Sequence, residues 1–176
     1  MITLSADNLT WLNTTGDRPE DLCAHSKVRF TVDGLEIVAP DDEWTVSASA
    51  IYLLRTLERN HTKDDPVGEH LFPCCGFSMY EVDDSDDVLI VGCATGIDAT
   101  IEHISDQVRI TAESGESRTV PKSEWIQAVL QFSNSVRDFY ESSAEKIASD
   151  DVARGGFNKM LLEWERRHPR ETEAEL

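Results

Sequence analysis

Two short runs of alternating residues, Val28-Arg-Phe-Thr-Val32 and Leu35-Glu-Ile-Val38, flank Asp33-Gly34. Asp-Gly between β-branched runs marks a type I′ hairpin, whose two turn residues both need positive φ. That register sets Val32 opposite Leu35 and Phe30 opposite Ile37 on a core side, with Thr31 and Glu36 on a wet side. Before the hairpin, Leu9 and Trp11 suggest a short strand, and Thr15-Gly16-Asp17 a turn. Pro40-Asp-Asp-Glu43 ends the hairpin. Ala50, Ile51, Leu54 and Leu57 then recur at helical spacing, predicting a helix from about Thr45 or Ser47 to Asn60, with Arg55, Glu58 and Arg59 off its apolar stripe. Asn60 to Gly68 reads as a polar loop.

Residues 71 to 120 read as a β-meander. Phe77 to Val82 is one strand, and Val88-Leu-Ile-Val91, a continuous apolar run, is expected to be central. Ile97 to His103 and Val108 to Ala112 alternate cleanly. A turn at Ser105-Asp106 sets Ile101 opposite Ile110 and Glu102 opposite Arg109, an apolar face backed by an outward ion pair. Ser114-Gly115 turns the chain toward Thr119-Val120. Pro121 is expected at the first position of the longest helix, where its missing N–H is not needed. Trp125, Ala128, Val129, Phe132, Val136, Phe139 and Tyr140 form that helix's stripe. Gly155-Gly156 is expected to break the chain before a last helix, Phe157 to Arg167, with Phe157, Met160, Leu161 and Trp164 on one side. Pro169 should stop it, and Glu171 to Leu176 should fray. Sequential strands joined by short turns imply antiparallel pairing. The expected fold is a single α+β domain spanning residues 1–176, an antiparallel meander with helices packed on one face and at the C-terminal end.

Charge narrows the choice of partner. The 176 residues carry 34 Asp and Glu against 16 Lys and Arg, a net charge of −18. Such a surface repels nucleic acid and anionic lipid and attracts basic proteins. The densest acid lies at Asp41, Asp42 and Glu43 and at Asp83, Asp84, Asp86 and Asp87. Both clusters are expected in exposed turns, able to meet a basic partner and replaceable without loss of fold. The start of the chain has no basic, apolar leader, and no stretch approaches the ~20 apolar residues of a membrane helix, so a cytoplasmic protein is expected. In that setting the sequons at Asn8, Asn13 and Asn60 are chance matches.

Candidate chemistry is sparse. Cys23, Cys74, Cys75 and Cys93, with His25 and His70, lack the Cys-x₂₋₄-Cys spacing by which one turn presents two thiolates to zinc. Reduced, buried thiols are expected instead. A Cys-His nucleophile built from Cys74 or Cys75 with His70 or His103 has its parts but no surrounding signature. His103 falls on the apolar face of its strand, where a hydrogen-bonded core histidine is expected. Asp83 to Asp87 resembles half a calcium loop but has Val88 where the sixth-position glycine belongs. Gly92-Cys-Ala-Thr-Gly96 lacks the glycine spacing of a phosphate loop. Neither a cofactor nor a metal is expected.

Three phrases carry a resemblance: Glu69-His-Leu-Phe-Pro-Cys-Cys-Gly-Phe-Ser-Met-Tyr80, Val88-Leu-Ile-Val-Gly-Cys-Ala-Thr-Gly-Ile-Asp98, and Val120-Pro-Lys-Ser-Glu-Trp-Ile-Gln-Ala-Val129 continuing through Phe139-Tyr-Glu-Ser-Ser143. In these, and in size and acidity, the chain resembles small bacterial immunity proteins of contact-dependent growth inhibition and related polymorphic toxin systems. The resemblance implies stoichiometric binding of a cognate toxin C-terminal domain, often a basic nuclease, without catalysis, and it transfers no individual binding residue. Two other readings stand beside it: an enzyme using the Cys, His and Asp set, and an acidic nucleic-acid mimic or adaptor.

Overall fold

A computed structural model describes residues 1–12, 16–74, 78–92 and 94–168. The Asp33-Gly34 hairpin joins β2 (Ala24–Val32) to β3 (Leu35–Val38), and both turn residues have positive φ, 45° and 78°. Val32 pairs with Leu35 and Thr31 with Glu36, as expected, but Phe30 pairs with Val38, not Ile37. A register shift between Phe30 and Thr31 is responsible, and it lets the adjacent residues Ile37 and Val38 both be buried. On the other side of β2 lies β1 (Ile2–Trp11), far longer than the sequence suggests, with its own irregularity between Asp7 and Thr10 and Asn8 at φ 59°. A short β4 (Glu43–Thr45) pairs with β2 at His25 to Lys27, completing a four-stranded antiparallel sheet.

The first helix, α1 (Val46–Arg55), is buried at all ten of its positions, Arg55 included. A helix enclosed on every side belongs to the core and not to a surface. It ends at Arg55, ahead of the expected Asn60, and Leu57 lies beyond it.

The expected meander divides into three sheets. Only β9 (Ala99–Ile104), β10 (Gln107–Ala112) and β11 (Ser117–Pro121) follow one another in a single antiparallel sheet. There the predicted register holds: Ile101 pairs with Ile110, Glu102 with Arg109, and Arg109 donates to Glu102 Oε2 at 2.9 and 3.0 Å. β5 (Phe72–Pro73) pairs with β8 (Gly96–Ile97). β6 (Ser78–Tyr80) pairs with β7 (Leu89–Val91) as a two-stranded ribbon. The run Val88–Val91 is therefore not central. A continuous apolar run reads alike whether its second face meets protein or solvent, and here Leu89 and Val91 face outward. The expected strand start at Phe77 lies outside the described residues.

Pro121 is the N-cap of α2 (Lys122–Ser142) and closes β11, one position ahead of the expected helical site. Trp125, Ala128, Val129, Phe132 and Val136 are buried along its stripe. Rings of Phe72, Phe30, Trp125 and Phe132 lie 5.9 to 6.4 Å apart and form the aromatic centre of the core. The last helix, α3 (Asp151–Arg167), begins well before Phe157 and contains Gly155 and Gly156 in its interior. It starts on a cap, the Asp150 side chain accepting from the Ala153 N–H. Gly156 is there for clearance. A Cβ at that position would lie 2.0 Å from the Met79 carbonyl oxygen, so the helix backbone rides directly on β6. α2 packs on β1 and α1, and α3 packs on β6 and α1, which makes the whole an α+β fold with antiparallel sheets.

Candidate binding surface

The two acidic clusters sit on different elements, and no hydrogen bond or ion pair among the described residues joins them. Asp41 and Asp42 lie in the turn after β3, while Glu43 opens β4 opposite Lys27 and so belongs to a strand, not a turn. All three are exposed. Asp83, Asp84 and Asp86 lie in the turn of the β6–β7 ribbon, exposed and without side-chain ion pairs among the described residues.

Asp87 differs from its neighbours. Its Oδ1 accepts from Arg166 and Arg167, each at 2.6 Å. Burial works to raise its carboxyl, but the Arg167 hydrogen bond, backed by Arg55 and Arg166, outweighs burial and holds it below the usual carboxylate range. Behind it Glu163, fully buried, accepts from Arg55 Nε at 2.7 Å and Nη2 at 2.9 Å, from Arg167 Nε at 2.9 Å and from the Val88 N–H at 2.7 Å. Arg55 also donates to the carbonyls of Val67 and Val88 at 2.7 Å, and Arg167 pairs with Glu58. Arg55, Arg166 and Arg167 thus face Glu58, Asp87 and Glu163 in a charge-balanced cluster. Neutralising Asp87 would disturb the interior as well as the surface, contrary to the sequence-based expectation. The sequence carried one signal for this cluster: Glu163 falls inside the apolar stripe of α3, three residues after Met160 and one before Trp164. Leu161, expected on that stripe, is instead partly exposed.

The ribbon's outward face was not anticipated. Met79 and Ile90 point inward and are buried, while Tyr80, Leu89 and Val91 point out, 39%, 47% and 46% exposed. Tyr80 pairs directly with Leu89 and Ser78 with Val91.

His61, which the sequence reading does not single out, and His103, which it does, are both tied into the fold. His61, buried, accepts from the Val67 N–H at Nδ1 (3.0 Å) and lies 2.9 Å from Asp98 Oδ1 through Nε2, so its proton belongs on Nε2 and both nitrogens are engaged. Burial tends to raise Asp98, but the hydrogen bond from His61 prevails and lowers it. His103 reaches the Thr56 carbonyl at 2.8 Å, hydrogen-bonded as the alternation implies but half-buried, so it is not enclosed in the core. Part of Cys23 reaches the surface, but burial, with Asp21 adding to it, pushes its thiol up to about 12, far from a thiolate at neutral pH. Cys75 and Cys93 lie outside the described residues. Among the described residues, no three His, Cys, Asp or Glu side chains gather as a metal site would require.

Two larger depressions complete the surface. One, of about 530 Å³, is bordered by Glu69, His70, Asp98 and Glu113. The other, of about 520 Å³, runs between α2 and α3 over Tyr140, Phe157, Leu161 and Trp164, and both charge signs line its rim. No helix among the described residues is long and apolar enough to cross a membrane. Compared with protein-family models, curated proteins and solved structures, the chain matches none of them.

Proposed function

We propose that this protein is an immunity protein, which binds a basic toxin domain in the cytoplasm, a nuclease as the resemblance implies, and neutralises it stoichiometrically without catalysis. The observation that carries the reading is the unpaired acid: Asp41, Asp42, Glu43, Asp83, Asp84 and Asp86 are exposed on a chain of net charge −18, and none has a side-chain ion pair among the described residues. Unpaired surface carboxylates are free to meet lysine and arginine, and such complementarity speeds association and selects the partner. The enzymatic alternative would draw on Cys74 or Cys75 with His70 or His103; of these, His103 is engaged at the Thr56 carbonyl and His70 lies 3.4 Å from the Ala94 carbonyl through Nε2. An immunity gene is expected to follow its toxin gene directly, so co-expression with the toxin domain that the preceding gene is expected to encode should restore growth to cells that the toxin alone kills. Equal killing with and without this protein would refute the proposal. Protection against several unrelated basic nucleases would favour the mimic or adaptor reading instead.

A further inference from the structure

We propose that the toxin docks on the outward face of the β6–β7 ribbon, with Tyr80, Leu89 and Val91 as the apolar centre and Asp83, Asp84 and Asp86 as its acidic edge. The partner surface is then an apolar patch bordered by lysine or arginine. The proposal rests on the function proposed above and adds the place where it is exercised.

Isolated exposed apolar residues are ordinary, but these three share one face of one ribbon, Tyr80 directly across from Leu89. Val82, 39% exposed, extends the apolar strip toward the turn, and Val152, 62% exposed, borders the same 280 Å³ hollow as Tyr80. An apolar centre with a polar border is how binding interfaces are built, and tyrosine is enriched at their strongest positions. The platform is also rigid. A lone two-stranded ribbon is marginally stable in water, but this one is seated on the α3 backbone at Gly156 and tied at Val88 and Asp87 to Glu163, Arg55 and Arg167.

Two comparisons favour this face. None of the large exposed apolar residues adjoins Asp41, Asp42 and Glu43 in sequence, and an exposed cation, Lys27, stands opposite Glu43 across β2 and β4. The α2–α3 groove has the apolar floor, but Arg137, Lys146 and Arg154 share its rim with Glu141, Glu145 and Glu165, which selects no single charge sign. A second copy of the chain is disfavoured at the ribbon, since pairing two such faces would bring Asp83, Asp84 and Asp86 of both copies together.

The test is binding kinetics with the same toxin domain as probe. Leu89→Ser/Val91→Ser should weaken the complex at least about a hundredfold, chiefly through faster dissociation. Tyr80→Lys, which sets a cation against a basic partner, should do the same. Asp83→Asn/Asp84→Asn/Asp86→Asn should slow association several-fold at low salt, a deficit that closes at high salt. Asp41→Asn/Asp42→Asn/Glu43→Gln should leave dissociation unchanged. Circular dichroism of each variant checks the fold, and because Tyr80 and Leu89 lie on separate strands, either variant alone can decide the matter. If the unsubstituted chain binds but either apolar variant, folded, keeps its affinity, the function stands and the ribbon assignment is overturned. If the unsubstituted chain does not bind, the function fails and the ribbon assignment with it. A homodimer abolished by Leu89→Ser/Val91→Ser would give the face to a second copy and also overturn the proposal.

Discussion

Arg55 donates from all three of its guanidinium nitrogens, two of them to a carboxylate with no solvent access. A buried pair of this kind need not add net stability, yet removing one partner strands the other charge at a cost of about 3–5 kcal/mol. Arg55→Met leaves Glu163 with Arg167 and the Val88 N–H, so it should lower the unfolding free energy in denaturant titrations by up to about 3 kcal/mol, the lower end of that range, while Arg55→Met/Glu163→Leu should cost less than the sum of the two single changes. Arg55→Lys should not rescue, because an ammonium cannot reproduce the planar fork. The same cluster divides the acidic turn in two. Asp87→Asn should destabilise measurably, whereas Asp83→Asn, Asp84→Asn and Asp86→Asn should each stay within about 0.5 kcal/mol, as exposed substitutions usually do. Spacing alone sets Arg55 off the apolar stripe of α1, and there the expectation fails, because Arg55 is buried like the other nine positions of the helix. What spacing cannot convey is that a helix more than a hundred residues later supplies the carboxylate that allows its burial.

At the scale of elements, local signals proved sound where partners are adjacent in the chain. The Asp33-Gly34 turn, the Ser105-Asp106 turn and the stripe of α2 are each decided by neighbouring residues. Readings that depended on a distant surface failed: Val88–Val91 as a central strand, and Gly155-Gly156 as a break. The pair reads as a break because glycine costs a helix interior about 1 kcal/mol relative to alanine, and only the approach to β6 reveals the use of the second. The two glycines should therefore respond differently to alanine. At Gly155 the nearest atom to a new Cβ is the Glu81 carboxylate, 3.3 Å away on a flexible exposed side chain. Gly155→Ala should be neutral or stabilise by up to about 1 kcal/mol. Gly156→Ala collides with the β6 backbone and should cost about 1–3 kcal/mol or more. Thermal melts of the two variants, side by side, decide this, and a tolerated Gly156→Ala would mean that α3 does not ride as closely on the ribbon as described.

Across the whole molecule, acid should act in two stages. Burial depresses His25, so the unfolded chain takes up that proton first, and stability should begin to fall as pH drops below about 6.5. Asp87 and Asp98 are depressed by their cationic or hydrogen-bonded partners. Their contribution is complete above the unfolded carboxylate value of about 4 and is lost below it, as pH falls through the folded values. Unfolding free energy plotted against pH should show both slopes. His25→Gln should remove the upper one, and Asp87→Asn/Asp98→Asn should flatten the lower. The overall class, antiparallel α+β, was legible because alternation and helical spacing survive in any context. The ribbon's outward face was not, because nothing in Leu89-Ile-Val91 distinguishes a side chain aimed at the core from one aimed at solvent.

The Arg55–Glu163 contact also has a consequence in time. The two residues are 108 positions apart, and a ribosome adding about 5–20 residues per second separates their emergence by roughly 5–20 s. Throughout that interval Arg55 exists without the helix that neutralises it, and once Val91 is made the β6–β7 ribbon waits without the helix that seats it. The nascent chain can assemble the β1–β4 sheet early, but the ribbon must wait for α3, about 60 residues further along the chain. Stalled chains ending before residue 151 should therefore leave the ribbon open to proteolysis while the β1–β4 hairpins are already protected, so that the ribbon becomes ordered only once α3 has been made.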